Sequence, residues 1–141
     1  MKSVSDIMKQ ALESGACGKS KGVSDWKTLC WLFFTPQGLE FCEENNFPSI
    51  EDFREIKSNI SDFGVFVDGG EVTRSNDGNI ALIGNTNARL VFDDNTKVHK
   101  VVLMHGAKAF IVVRNYAVVR LINIGDCEVN IHKDKTSVIL K

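Results

Sequence analysis

The sequence predicts an α+β chain: an N-terminal helical cap over residues 1–62, followed by a short β-solenoid body over residues 63–141, the two packed as one structural unit. An antiparallel β-meander or sandwich is the alternative for the body. Three observations carry the prediction. In the last third, apolar residues recur in alternating pairs: Leu90/Phe92, Val101/Leu103, Phe110/Val112, Val119/Leu121, Val129/Ile131 and Val138/Leu140. Alternation marks strands, whose side chains point to opposite faces with period two. The pairs follow one another at steps of 11, 9, 9, 10 and 9 residues, which marks a repeated unit. Before residue 60, by contrast, apolar residues recur at helical spacing between cap residues.

The elements follow in order. Ser3 to Gly15 reads as a first helix, with Ser3 or Ser5 at the N-cap and Val4, Ile7, Met8, Ala11 and Leu12 on one face. Gly18-Lys19-Ser20 looks like a fragment of a phosphate loop. Glu13 stands where that motif needs its first Gly, and a helix precedes instead of a strand, so the segment reads as a basic loop. Ser24 caps a second helix to about Phe34, apolar over most of its surface and so expected to be buried. Thr35-Pro36 opens a third helix to Asn45 as N-cap and first-turn Pro. Ser49, with Asp52 three residues on, caps a fourth to about Ser58. Trp26, Leu29, Phe33, Phe41, Phe53 and Ile56 are the expected core of this part.

From Val65 the period changes. Val65 to Asp68, Gly69-Gly70 and Glu71 to Arg74 read as a hairpin. Asn76 to Asn79 is a turn and Ile80 to Ile83 a strand. In a solenoid two strands make one coil, so Leu90/Phe92, Phe110/Val112 and Val129/Ile131 stack on one face. Val101/Leu103, Val119/Leu121 and Val138/Leu140 stack on the other. Leu103, Val112, Val119, Leu121, Val129 and Ile131 are then buried together, and an Asp at Leu121 should unfold the protein.

Composition bounds function loosely. The chain has 141 residues, 43% hydrophobic and 25% charged, with a net charge of −1. That is an ordinary globular balance without a polyanion-binding signature overall. The charge is split: residues 1–87 hold 8 Lys and Arg against 13 Asp and Glu, residues 88–141 hold 9 against 5. No apolar run reaches the roughly 20 residues of a membrane helix. Cys17, Cys30, Cys42 and Cys127 show no paired short spacing, so no disulfide framework is expected. The expected location is cytoplasmic, or virion-associated if the protein is phage-encoded.

Phe41-Cys42, Phe47-Pro48-Ser49, Phe53-Arg54, Gly64 to Asp68, Gly84-Asn85-Thr86 and Val102 to Lys108 together resemble small uncharacterised proteins of bacterial genomes and prophages. The repeats look like degenerate phage-type solenoid arrays, with the repeat Asn kept at Asn95 and Asn115 and an asparagine ladder left incomplete. The resemblance implies a phage or mobile-element origin and a β-solenoid, and no reaction.

No constellation announces catalysis. His99, His105 and His132 have neither zinc-site spacing nor a nucleophile in register, so no catalytic, cofactor or metal residue is assigned. The expectation is a non-enzymatic structural or protein-interaction protein, a homo-oligomer or a partner of another protein. Its assembly edge is Ser137, Val138, Ile139 and Leu140, since that strand ends the sequence at Lys141. A nucleic-acid- or glycan-binding module is the alternative, using a basic face of Lys97, Lys100, Lys108, Arg114, Tyr116 and Arg120.

Overall fold

A computed structural model describes residues 2–16 and 23–141, which form two compact units divided between Phe63 and Gly64. Cys17 and the Gly18-Lys19-Ser20 loop lie outside the described residues.

The first unit holds α1 (Val4–Glu13), α2 (Trp26–Phe33), α3 (Pro36–Asn45) and α4 (Ile50–Ile60), closed by a 3-10 turn, Ser61–Phe63. Each helix begins on a side chain that accepts an otherwise unpaired N–H of the first turn. Ser3 accepts from the Asp6 N–H while the Asp6 carboxylate accepts from the Ser3 N–H, a complete capping box. Thr35 caps α3 and Ser49 caps α4 as expected. The cap of α2 is Asp25, not Ser24: its carboxylate accepts from the Thr28 N–H at 2.7 Å. Gly38 admits no side chain, because a Cβ there would stand 2.1 Å from the Leu32 carbonyl oxygen.

The core expected of this unit is partly displaced. Phe53 and Ile56 are buried, with Val4, Ile7, Met8, Ala11, Cys30, Phe34, Leu39, Cys42 and Ile60, whereas Trp26, Leu29, Phe33 and Phe41 are half-buried. Nor is α2 a buried helix: Cys30 is its one buried residue and Trp31 is 68% exposed. An eight-residue helix that is apolar all round can turn only one side inward. Burial pushes the Cys30 and Cys42 thiols up to about 12, as for small core hydrophobes.

The second unit is a parallel-strand β-solenoid of about four turns. Its strands are β1 (Val65–Val67), β2 (Gly70–Ser75), β3 (Asn79–Ile83), β4 (Thr86–Phe92), β5 (Val98–Met104), β6 (Lys108–Val113), β7 (Val118–Asn123), β8 (Glu128–Lys133) and β9 (Val138–Leu140). They alternate between a five-stranded sheet, β1-β3-β5-β7-β9, and a four-stranded sheet, β2-β4-β6-β8. Every pair is parallel. The first coil sets Val65 beside Ala81, the next Asn79 beside Lys100, and the later ones Val98 beside Val118 beside Val138. The step is therefore 16 residues, then 21, then 20.

The expected hairpin over Val65 to Arg74 does not form. β1 and β2 belong to different sheets. The left-handed residues there are Asp68 (φ 49°) and Gly70 (φ 65°), on either side of Gly69. A two-residue hairpin turn of the Gly-Gly type needs two adjacent left-handed positions, so here the chain passes to the other sheet instead of reversing.

Between the sheets lies a continuous apolar interior, including Ile80, Leu82, Leu90, Phe92, Val101, Leu103, Ile111, Val113, Val119 and Leu121. Two of the expected pairs are one residue out of register. Phe110 and Val112 sit beside Arg89 and Val91 on the outer face, while Ile111 and Val113 sit beside Leu90 and Phe92 inside. Val138 and Leu140 sit beside outward Val118 and Arg120, and Ile139 is the inward residue. Phe110 to Val113 is apolar at every position, so periodicity cannot choose its phase, and a one-residue slip exchanges the faces. Val112 therefore leaves the predicted buried set; Val129 and Ile131 flank the core, half-buried.

Candidate interaction surfaces

The solenoid turns sequence spacing into rows. Residues one coil apart lie side by side about 4.8 Å apart. On the outer face of the five-stranded sheet, Val98, Val118 and Val138 form one row, and Lys100, Arg120 and Leu140 the next. Val98, Val138 and Leu140 are 54%, 44% and 42% exposed. Burial, then the neighbouring Arg120 guanidinium, draw the Lys100 ammonium below its ordinary value.

The outer face of the four-stranded sheet is different. Lys108 lies 3.5 Å from Glu128 in the adjacent strand. Arg89 places its guanidinium 5.3 Å from the centre of the Phe110 ring, and His132 lies against the same ring at 4.9 Å. Cations over aromatic faces and aromatic pairs stabilise such exposed rows by about 1 kcal/mol.

The corners that follow β2, β4, β6 and β8 are joined by a polar ladder. Asn76 donates to the Asp93 carboxylate at 2.8 Å and accepts the Asp93 and Asp94 N–H groups. Asn115 donates to the Asp93 carbonyl, and Asn95 to the Asn115 carbonyl. The Asn115 N–H goes to Asp134 and the Tyr116 N–H to Thr136. The ladder thus mixes Asn and Asp. Asp94 and Asp134 each accept both the N–H and the hydroxyl of the Thr two residues on. Thr136 above all, with the N–H of Asn115, holds Asp134 well below the usual carboxylate range. Thr96 does the same for Asp94, and Asn76, then Arg114, for Asp93. Tyr116, 65% exposed, takes a left-handed conformation (φ 62°) that bulky side chains rarely adopt.

The six residues expected to make one basic face are thus spread over three surfaces. Lys100 and Arg120 share the outer face of the five-stranded sheet, Lys108 lies on the outer face of the other sheet, and Arg114 and Tyr116 stand at a corner with Lys97 at the preceding one. Of the expected edge, Ser137 is buried, its hydroxyl donating to the Val113 carbonyl; Ile139 is turned inward; Val138 and Leu140 are exposed.

Sequence reasoning missed two features. The valine row was visible as Val98, Val118 and Val138, one coil apart, but Val98 and Val118 lay just outside or beside the chosen pairs. The other is His99, wholly buried, its Nδ1 3.0 Å from the Asp77 carbonyl oxygen and its Nε2 2.8 Å from that of Asp94. It ties two successive corners together. A neutral imidazole has one N–H to donate; both contacts become donated hydrogen bonds only in the doubly protonated ring.

Among the described residues no group of three His, Cys, Asp or Glu side chains is arranged to hold a metal ion, and no helix is long and apolar enough to cross a membrane. Compared with protein-family models, with curated proteins and with solved structures, the chain finds no match.

Proposed function

We propose that the protein is a non-enzymatic assembly or partner-binding module that works through its C-terminal coil. One observation carries this reading. β8 and β9 each pair on one side only among the described residues, and the interior residues they contribute, Val129, Ile131 and Ile139, are half-buried. A sheet edge with unpaired N–H and C=O groups beside incompletely covered aliphatic surface is a template for another chain. The simplest occupant is a second copy, giving a homo-oligomer. A phage or mobile-element origin rests on the sequence resemblance alone. The test is light scattering over a concentration series, with Val138→Lys/Leu140→Lys as the comparison. Association of the parent protein that is lost in the variant, at unchanged melting temperature, supports the reading. A parent protein that stays monomeric at every concentration and takes no partner sinks it.

A second reading is favoured by one feature. Lys100 and Arg120 are adjacent on a face whose outward residues in β5, β7 and β9 include no carboxylate. Such a face suits a nucleic acid or an anionic glycan. Binding to single-stranded DNA or heparin that weakens steeply as salt rises would support it.

A further inference from the structure

The free edge of β8 has a definite pattern. The strand pairs with β6 on one side and with no strand on the other among the described residues. Backbone groups alternate sides along a strand, and the Asp134 N–H donates to the Val113 carbonyl. Asn130 and His132 therefore turn their N–H and C=O groups toward β6, and Val129 and Ile131 turn theirs to the free edge. Side chains alternate as well. Val129 and Ile131 point inward, half-buried, while Glu128, Asn130 and His132 are exposed on the outer face. Glu128 lies 3.5 Å from Lys108, yet its side chain is 63% exposed, and a carboxylate has room for further donors.

A second copy can continue the stack in two ways. Head to tail, its β2 would follow β8 in the columns that run through β2, β4, β6 and β8. That sets Glu71 directly against Glu128, and Arg74 at the interior position beside Ile131. Tail to tail, β8 meets β8 in the antiparallel sense. Residues facing each other in an antiparallel pair share a face, so inward residues must face inward ones. Centred on Asn130, Val129 of one copy faces Ile131 of the other, and Glu128 faces His132. Centred on Ile131, Val129 would face Lys133, a charge at an inward position.

We infer that β8 pairs antiparallel with β8 of a second copy of this chain, about a two-fold axis at Asn130, so that two last coils close each other as a dimer. This rests on the assembly reading above and names the partner strand, the register and the closure. Val129 and Ile131, whose backbone groups both reach the free edge, exchange hydrogen bonds across it. Their half-buried side chains cover one another. The Glu128 carboxylate accepts from the His132 imidazole of the other copy, and symmetry repeats the contact. Two copies satisfy a two-fold interface completely, so association stops at the dimer.

Cysteine cross-linking of the full chain tests the register. Across the axis Asn130 faces Asn130 in a non-hydrogen-bonded pair, with Cα atoms about 4.5 Å apart and within disulfide reach. Under mild oxidation Asn130→Cys becomes a covalent dimer on a non-reducing gel, well above the background set by the four cysteines of the parent. Glu128→Cys and His132→Cys each stay at background alone and link to one another when mixed. By light scattering the parent reaches a dimer mass that does not grow with concentration. Val129→Pro removes an N–H from the free edge and none from the ladder with β6. It weakens dimerisation about tenfold or more, with a melting temperature near that of the parent. If the parent associates while Asn130→Cys stays at background, or while Glu128→Cys links to itself as readily, the register is another one. The inference then falls while the assembly reading stands. A mass that keeps growing with concentration, or a Val129→Pro protein that associates as the parent does, overturns it in the same way. A parent protein that is monomeric throughout overturns both.

Discussion

The first and last coils of the solenoid each have a neighbouring coil on one side only, and they treat the other side differently. In the first, the interior positions are Phe66, Val72 and Arg74. Arg74 holds its guanidinium 5.9 Å from the centre of the Phe66 ring and makes two hydrogen bonds to Asp77. A long aliphatic stem covers apolar surface while its charged head stays in water. In the last, Val129 and Ile131 stand at the positions of Val72 and Arg74, and they and the inward Ile139 include no charged side chain. Both ends keep half-buried apolar residues, and the difference between them is the charged side chain that only the first sets beside its own.

The strongest way to break this comparison is to put a charge at interior positions along the stack. Leu121→Asp buries a carboxylate inside the stack and should unfold the protein, a loss of more than about 4 kcal/mol. Ile139→Asp, at the half-buried margin, should lower the melting temperature by only a few degrees, about 1 kcal/mol, while abolishing association. Circular-dichroism melts and light scattering on both variants decide it; equal loss of stability would mean that the last coil is as closed as the rest.

His99→Leu tests what holds the corners near the first end. It removes the buried imidazole that bridges the Asp77 and Asp94 carbonyl oxygens and donates to at least one of them, and should cost about 1–3 kcal/mol in urea unfolding. Arg74→Leu should change stability by about 1 kcal/mol or less, because the cation–ring contact and its ion pair are largely exposed. Its sharper readout is association: a first coil finished by leucine should become adhesive as the last one is. An Arg74→Leu protein that associates no more than the parent would remove the role assigned to the arginine.

The smallest effect is set by pH. Asp93, Asp94 and Asp134 titrate below the ordinary carboxylate range in the folded chain. The unfolded chain therefore takes up protons first as pH falls. The stability these groups contribute is complete above the ordinary carboxylate range and is lost as pH falls through their depressed folded values. Melting temperatures from pH 7 down to acid should decline less steeply in Asp134→Asn than in the parent; identical slopes would show that the corner carboxylates carry none of the pH dependence.

The helices were legible because caps are local. Ser3, Thr35 and Ser49 each satisfy an N–H within three residues, so sequence distance and spatial distance agree. The coil spacing was legible for a related reason: the later coils repeat nearly one length of chain, 21 and then 20 residues. The phase of individual strands was not. Where both faces are apolar, as in Phe110 to Val113, nothing local says which side is inside; the Cα register against Leu90 and Phe92 decides it. The candidate face failed as a single surface because Lys97, Lys100, Lys108, Arg114 and Arg120 are close in sequence, yet each coil carries the chain around two sheets and two corners. The hydrogen bonds of His99 span 5 and 22 residues, beyond any spacing rule.

The twenty-residue length shared by the last coils has one further consequence. Val98, Val118 and Val138, like Lys108 and Glu128, recur at a step of twenty residues, and each coil is paired only with the coils beside it. Length along the stack is then an integer that can be edited without redesigning either terminus of the stack. A second copy of residues 98–117 inserted after Ala117, with valine at the copied His99 as at Val119, should fold as one more layer. It would lengthen the stack by about 4.8 Å and extend the valine row by one residue.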